Sequence, residues 1–448
     1  MTASTRQMHL GAFLMETGHH VAAWRLPSVQ ADAGTDLRAY TTLAQTAERA
    51  CFDAVFLADN VAANVAPGAD RAPRSDRLDP MILLPALAAL TERIGLVATV
   101  TTTYNEPYHV ARKFGSLDVL SGGRAGWNLV TSDNAAEAQN FGRAEHMGHA
   151  QRYDRAHEFY RVVAGLWDSW DESSFVRDKA SGVYYDAATL SVLHHRGKHF
   201  SVAGPLNVPR SPQGRPVVVQ AGSSEAGRTL AARTADVVFT AHTELASAQT
   251  FYSDMKARAV VAGRDPDQLK IMPGISVIVA RTDSEAQERF EELQSLVDPV
   301  AGLAMLSRML GNFDLSRYPL DGPLPDLPVT DSGQRSRQVL LTSLAGAERL
   351  TIRQLYLRIA AGRGHHMVVG SAERVADAMQ QWFESGAADG FNVMPADLPD
   401  GLTRFCELVV PKLQQRGLFR TRYTGTTLRD HLGLRKPARL ATALQNGV

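Results

Sequence analysis

The chain has 448 residues and a mass of 48.7 kDa, with 44% hydrophobic and 21% charged residues, a globular composition that excludes a disordered chain. Lys and Arg total 47 against 47 Asp and Glu, for a formal net charge of zero; with no basic tail and no like-charge block, nucleic-acid and anionic-membrane partners are not expected. No apolar run comes near the roughly 18 residues of a membrane span, no secretory signal is visible in Met1–Leu14, and Cys51 and Cys406 form no disulfide framework, so a cytoplasmic location is expected.

In chain order, Met8–Leu14 reads as a strand and Leu37–Ala50 as a helix. Asp53–Ala58 is a buried strand, and Pro80–Thr91 an apolar helix. Ile94–Thr101 is a strand, Val110–Leu120 a helix and Arg124–Val130 a strand. A helix from His149 to about Trp170 leads into an irregular stretch ending at Arg215. The rhythm resumes with strand Pro216–Gln220, helix Ser224–Ala235, strand Asp236–Thr240 and helix Leu245–Ala262. Strand Lys270–Val279 and helix Ser284–Leu296 follow. Residues 300–366 break the pattern, with Pro319, Pro323, Pro325 and Pro328 marking a loop and Val339–Ala361 keeping helical periodicity. Helix Ala372–Ser385 and strand Gly390–Met394 close the series. The apolar runs are continuous, as expected of strands covered on both faces of a parallel sheet. Eight strands with intervening helices predict an α/β fold, a (β/α)8 TIM barrel. One domain spanning 1–448 is expected, with insertions near 171–215 and 300–366 and a C-terminal tail from about residue 417.

The strongest local motif is Gln220–Ala–Gly222–Ser223–Ser224 at the end of a buried strand, with a helix starting at once. Free N–H groups, two hydroxyls and the positive dipole end make a phosphate cradle. An ordinary Ser N-cap reads equally well. His149 and Tyr153, four apart on a helix, share a face and can reach one ligand or simply bond each other. Asp59 directly follows a strand, Thr99 lies near a strand end, and Asn128 has the same position or faces the core; barrel enzymes put working side chains there. The adjacent histidines at 19–20, 194–195 and 365–366 lack metal-ligand spacing, so no metal is expected. No Gly-x-Ser-x-Gly elbow is present, which argues against one hydrolase type.

Taken together, several segments resemble the flavin-dependent monooxygenases of the bacterial luciferase-like superfamily. They are Gly18–His–His–Val–Ala–Ala–Trp24–Arg25, Phe52–Asp–Ala–Val–Phe–Leu–Ala–Asp59, Glu106–Pro–Tyr–His–Val–Ala–Arg112, Ser121–Gly–Gly–Arg–Ala–Gly–Trp–Asn128–Leu–Val–Thr–Ser132 and Gly390–Phe–Asn–Val–Met–Pro395. With His149–x–x–Arg–Tyr153 and the Gly-Ser-Ser turn, they are similar to the branch of nitrilotriacetate, EDTA and dibenzothiophene-sulfone monooxygenase large components and a pristinamycin synthase subunit. The resemblance runs from about residue 8 to 436.

It implies FMN, bound as FMNH2 at the carboxyl ends of the barrel strands, with Asp59, Thr99, Asn128, His149, Tyr153, Ser223 and Ser224 at flavin-contacting positions. It implies a separate NAD(P)H-dependent flavin reductase as transient partner and O2 as cosubstrate, forming a flavin peroxide that oxidises a small organic substrate. A homo-oligomer, dimer or tetramer, is also implied. His20 and Trp24, after the first strand, are expected to face the isoalloxazine or the substrate as catalytic residues. Substrate choice is expected to reside in the 300–366 insertion, acting as a lid, and in the Gly18–Trp24 loop. A deazaflavin-dependent oxidoreductase of the same superfamily and a metal-dependent barrel hydrolase are the alternatives.

Overall fold

The fold was obtained as a computed structural model that describes residues 6–65, 68–71, 75–328 and 335–439, with the backbone alone at 335–337. Eleven strands are present among these residues. They are β1 (His9–Leu14), β2 (Ala54–Leu57), β3 (Gly95–Thr101), β4 (Ala125–Val130), β5 (His195–Arg196), β6 (Ser201–Val202), β7 (Val217–Gln220), β8 (Val237–Thr240), β9 (Lys270–Ala280), β10 (His366–Ser371) and β11 (Gly390–Pro395). Parallel pairing runs β1-β2-β3-β4-β7-β8-β9-β11 and returns to β1, which closes an eight-stranded barrel.

The outer helices are α1 (Leu37–Arg49), α2 (Pro80–Ala88), α3 (Pro107–Leu120), α4 (His149–Trp167), α5 (Glu225–Thr234), α6 (Leu245–Val261), α7 (Asp283–Ser295), α8 (Pro299–Met309), α9 (Arg335–Glu348), α10 (Ile352–Gly362) and α11 (Ala372–Glu384). Their starts are set by local chemistry. Asp36 caps α1 and Asp79 caps α2, with Pro80 at the first turn where a missing N–H does no harm. Thr282 with Glu285, and Thr351 with Gln354, form reciprocal capping boxes on α7 and α10.

Both faces of the eight ring strands are buried almost throughout, which is why these strands read as unbroken apolar runs. Leu10, Ala12 and Leu14 of β1, with Val55 and Leu57 of β2, pack outward against the helices. Phe13, Phe56, Val97, Val219, Val237 and Met272 point inward and fill the barrel. Gly11 faces the interior where an added Cβ would stand 2.4 Å from Asn392 Oδ1.

Two expectations need correction. Strand β10 was not foreseen, because it directly follows the irregular insertion. It forms because β9 is 11 residues long. Lys270–Pro273 pair with β8, which then ends, and Ile275–Ala280 take β10 as their neighbour instead. The helix expected to reach Trp170 stops at Trp167, with Asp168 in a non-helical cap conformation.

The 300–366 region folds substantially into helices. From α8 to α10 its apolar residues, among them Met305, Leu306, Leu341, Leu355, Tyr356 and Ile359, form a separate core that also takes in Val21 and Ala22 from the loop after β1. Its residues 329–334 lie outside the described residues. The chain after residue 417 folds under the opposite end of the barrel, where Leu428 of a short helix, α12 (Leu428–His431), and Leu432 at its C-cap join the interior core.

Candidate active site

At the carboxyl ends of the strands lies a cavity of about 380 Å³, walled by residues following β2, β3, β4, β7 and β8, by the start of α4, and by Leu340 and His365 from the insertion. Six expected flavin contacts line it: Asp59, Thr99, His149, Tyr153, Ser223 and Ser224. A parallel barrel puts every strand's carboxyl end on one rim, which is how residues 165 positions apart, Asp59 and Ser224, come to share a wall.

On the phosphate-sized side, Ser224 is the N-cap of α5, its Oγ accepting the Gly227 N–H at 3.1 Å. The capping role is therefore real, and it is compatible with ligand binding: accepting that bond leaves the Ser224 hydroxyl proton free to donate. Ser223 is exposed beside it. The strand end and the helix start approach closely at two glycines, where a Cβ on Gly222 would lie 3.3 Å from Gly227 Cα and one on Gly227 would lie 3.1 Å from Tyr153 Oη. Beside this turn, the His149 and Tyr153 rings meet at 4.8 Å between centroids, as their spacing required. Partial burial and the Arg152 cation lower the His149 imidazole pKa, which favours the neutral ring.

Arg152 completes this side. It is buried, its Nη1 donates to the Met147 carbonyl at 3.0 Å, and its Nε has no partner in the protein. A buried guanidinium edge without an acceptor is costly unless a ligand supplies one. Ser223, Ser224, Tyr153, the α5 N-terminus and this unpaired Arg152 edge fit the phosphate of FMN.

Deeper in the barrel, Asn128 Nδ2 donates to Thr99 Oγ1 at 2.8 Å, the two residues being register partners on β4 and β3. Asn128 is buried and does not line the cavity; its effect is to occupy the Thr99 oxygen and leave the Thr99 proton for a ligand acceptor. Burial raises the Asp59 carboxyl pKa, and nearby Asp79 adds to the rise.

His20 and Trp24 lie outside the cavity wall. His20 is fully buried, with Nδ1 accepting the Ala22 N–H at 3.2 Å and Nε2 at 3.4 Å from Gln294 Oε1 of α7. Trp24 sits in a 3-10 turn, Ala23–Arg25. Among the described residues no group of three or more His, Cys, Asp or Glu is placed to hold a metal ion. His195 and His199 instead bond Glu158 and Asp154, at 2.9 and 2.8 Å.

Several wall residues were not singled out from sequence. Arg152 stood inside the His149–Tyr153 pattern, three positions from His149, and helical spacing was sufficient to find it. Ser132 and Glu137 follow β4. His365 carried no strand-end signal, since it arrives from the insertion and stacks on Phe239 at 5.3 Å. It fits because β9 has Gly274 there, where a Cβ would lie 2.4 Å from His365 Nδ1.

The sequence model of the luciferase-like monooxygenases matches residues 15–389. The chain belongs to this family. Its members depend on flavin, and several relatives of this chain are named monooxygenases. N-acetyl-S-(2-succino)cysteine monooxygenase of Bacillus subtilis (strain 168) is 50% identical over 438 residues, 98% of this chain and 99% of the relative. Nitrilotriacetate monooxygenase component A of Aminobacter aminovorans is 50% identical over 445 residues, 97% of this chain and 98% of the relative. A crystal structure of riboflavin lyase with modified FMN and its substrate riboflavin has a TM-score of 0.86 at 34% identity, covering 96% of this chain and 97% of that one. No described helix is long and apolar enough to cross a membrane.

Proposed function

We propose that the chain is the oxygenating component of a two-component monooxygenase, taking FMNH2 from a separate NAD(P)H-dependent flavin reductase and using O2 to oxidise a small organic substrate. The observation that carries this reading is the convergence of Ser223, Ser224, Tyr153 and the unpaired Arg152 edge on one side of a single cavity at the barrel mouth. A relative named component A supports a partner component, and the sequence offers no dinucleotide fingerprint of the Gly-x-Gly-x-x-Gly kind after a strand. Bound there, the flavin would supply two electrons and activate O2.

The protein's own contribution is to bind, orient and exclude water. Ser223, Ser224, His149, Tyr153 and Arg152 hold the phosphate, Thr99 donates its hydroxyl proton with Asn128 behind it, and Asp59 borders the ring end. The insertion covers the mouth and keeps the cavity dry. His20 acts as a positioning residue, tying the first loop to Gln294 of α7, and its neighbours Val21 and Ala22 join the insertion core.

The test is anaerobic titration of the protein with FMNH2, followed by rapid mixing with O2 while flavin absorbance is followed. Micromolar or tighter FMNH2 binding and a transient oxygenated-flavin absorbance are expected. A protein that binds FMNH2 no better than riboflavin in reduced form, or whose bound flavin is reduced by NADH without a second protein, would overturn the reading. Nitrilotriacetate and N-acetyl-S-(2-succino)cysteine are the first substrates to try.

A further inference from the structure

Part of the cavity wall is acidic. Asp59 follows β2, and Asp133 and Glu137 follow β4. Glu137 lies in a 3-10 segment, Ala135–Phe141, that is fastened to the loop after β2: Asn134 Nδ2 donates to Asn60 Oδ1 at 3.3 Å and Asn140 Nδ2 donates to the Val61 carbonyl at 3.0 Å. Its side chain is only 4% exposed, and Oε2 has no hydrogen-bond partner. No Lys, Arg or His among the described residues forms an ion pair with it. The groups that face it are Asp133 and Asp59, which repel a second negative charge, the Ser132 hydroxyl and the Val61 backbone, and at longer range Tyr104 and Arg152. Burial first, then the two aspartates, raises the Glu137 pKa. Burial and the like charges thus favour the protonated carboxyl, against the hydrogen bonds from the Ser132 hydroxyl and the Val61 N–H, which favour the charged form.

We propose that Glu137 is a further catalytic residue, the general acid that hands a proton to oxygen while the cavity is closed to water. This rests on the flavin-dependent function proposed above. In the step, the Oε2–H bond breaks and an O–H bond forms on the oxygen that receives electrons from reduced flavin. That oxygen leaves as water when the other atom enters the substrate, or as hydrogen peroxide when no substrate is present. The Glu137 carboxylate regains its proton from the hydrogens that the flavin releases on oxidation, so the cycle closes with no net proton consumed.

Two measurements test the assignment on the intact protein. In infrared spectra at pH 7 without flavin, a carboxylic-acid carbonyl band is expected in the wild type and should be missing from Glu137→Gln. In single turnovers of the protein–FMNH2 complex with O2, the rate of flavin oxidation in the wild type should fall as pH rises through the Glu137 pKa. The Glu137→Gln variant should be slower by about a hundredfold and lose that pH dependence, with Glu137→Asp recovering part of both. FMNH2 affinity, measured anaerobically, should change by no more than a few-fold. An unchanged infrared band, or a Glu137→Gln variant that binds FMNH2 and oxidises it at the wild-type rate with the wild-type pH profile, would overturn the role of Glu137 alone. Failure of the wild type to bind FMNH2 would overturn the function itself, and this role with it.

Discussion

At Ser223 and Ser224 two neighbouring hydroxyls have different duties. Ser224 serves the helix as acceptor for Gly227 N–H and the ligand as donor, whereas Ser223 has no capping bond. Ser223→Ala should therefore weaken FMNH2 binding without changing the melting temperature. Ser224→Ala should do both, since a lost N-cap costs about 1 kcal/mol. A hydrogen bond to a charged group contributes about 1.5–3 kcal/mol, so the double variant should lose about tenfold or more, while reduced riboflavin, which lacks the phosphate, should be nearly indifferent. Equal losses for both flavins would assign the pair to capping alone. A second residue, Asp118, is buried far from the cavity, between the Ala125 N–H at 2.9 Å and Gln213 Nε2 at 2.7 Å. Burial pushes its carboxyl from 3.8 up to about 6. The folded state thus holds a proton that the unfolded state has released, so this group's contribution to stability falls as pH rises from about 4 to 6 and is level above that. Asp118→Asn keeps the accepting oxygen and removes the charge. It should melt higher than the wild type at pH 7.5, with the gap closing below pH 4; a pH-independent difference would show that Asp118 is not the group responsible.

Among the elements, the C-terminal segment after residue 417 is a structural part of the barrel. Arg420 forms an ion pair with Asp53 at the amino end of β2, Arg429 Nη2 reaches Asp236 at 2.8 Å before β8, and Tyr423 Oη donates to the Phe52 carbonyl at 2.6 Å. Asp53 is 1% exposed and has further partners in His9 Nδ1 at 3.1 Å and the Leu10 N–H at 2.6 Å. Although burial opposes it, the Arg420 and His9 charges hold the Asp53 carboxyl down at about 2. The stability this supplies is complete above pH 4 and is lost as pH falls toward 2. Removing Arg420 leaves a buried carboxylate short of its main counter-charge, which typically costs about 3–5 kcal/mol. Arg420→Ala should therefore unfold at clearly lower denaturant, and Asp53→Asn in the same chain should restore part of the loss. An Arg420→Ala protein with wild-type stability at pH 7 would reduce the tail to an appendage.

For the whole molecule, the arrangement is one barrel with a cavity of about 380 Å³ at its mouth and a helical insertion that has its own core and adds Leu340 and His365 to the cavity wall. Under the function proposed above, in which FMNH2 comes from another protein, the site is expected to favour the reduced cofactor and release the oxidised one. The purified protein should be colourless or nearly so, and NADH added to protein and FMN should bleach nothing until a flavin reductase is supplied. Isolation of a yellow protein with tightly held, stoichiometric FMN would contradict this.

How much of this could be read in the sequence follows from the range of the forces involved. The eight ring strands were legible because a parallel strand buried on both faces has a local signature, as in Asp53–Ala58 and Lys270–Val279. The Gly222–Ser223–Ser224 turn was legible because a strand end, a glycine and a helix cap are consecutive in the chain, and His149 with Tyr153 because helical spacing is local. Strand β10 was hidden because its partner is the second half of β9, 91 positions earlier at His366 and Ile275, and nothing in His366–Ser371 announces where β8 ends. The same limit applies to the site. Sequence determined that Asn128 lies at the end of a strand, but only register pairing decided that it stands behind Thr99 instead of on the wall. It determined that Glu137 and Asp133 are carboxylates in one loop, but only the barrel's closure brought Asp59 near them and left the second Glu137 oxygen without a partner. Local periodicity and capping thus determined the elements, while the charge state and duty of each side chain were decided by neighbours that the chain brings together only when the ring closes.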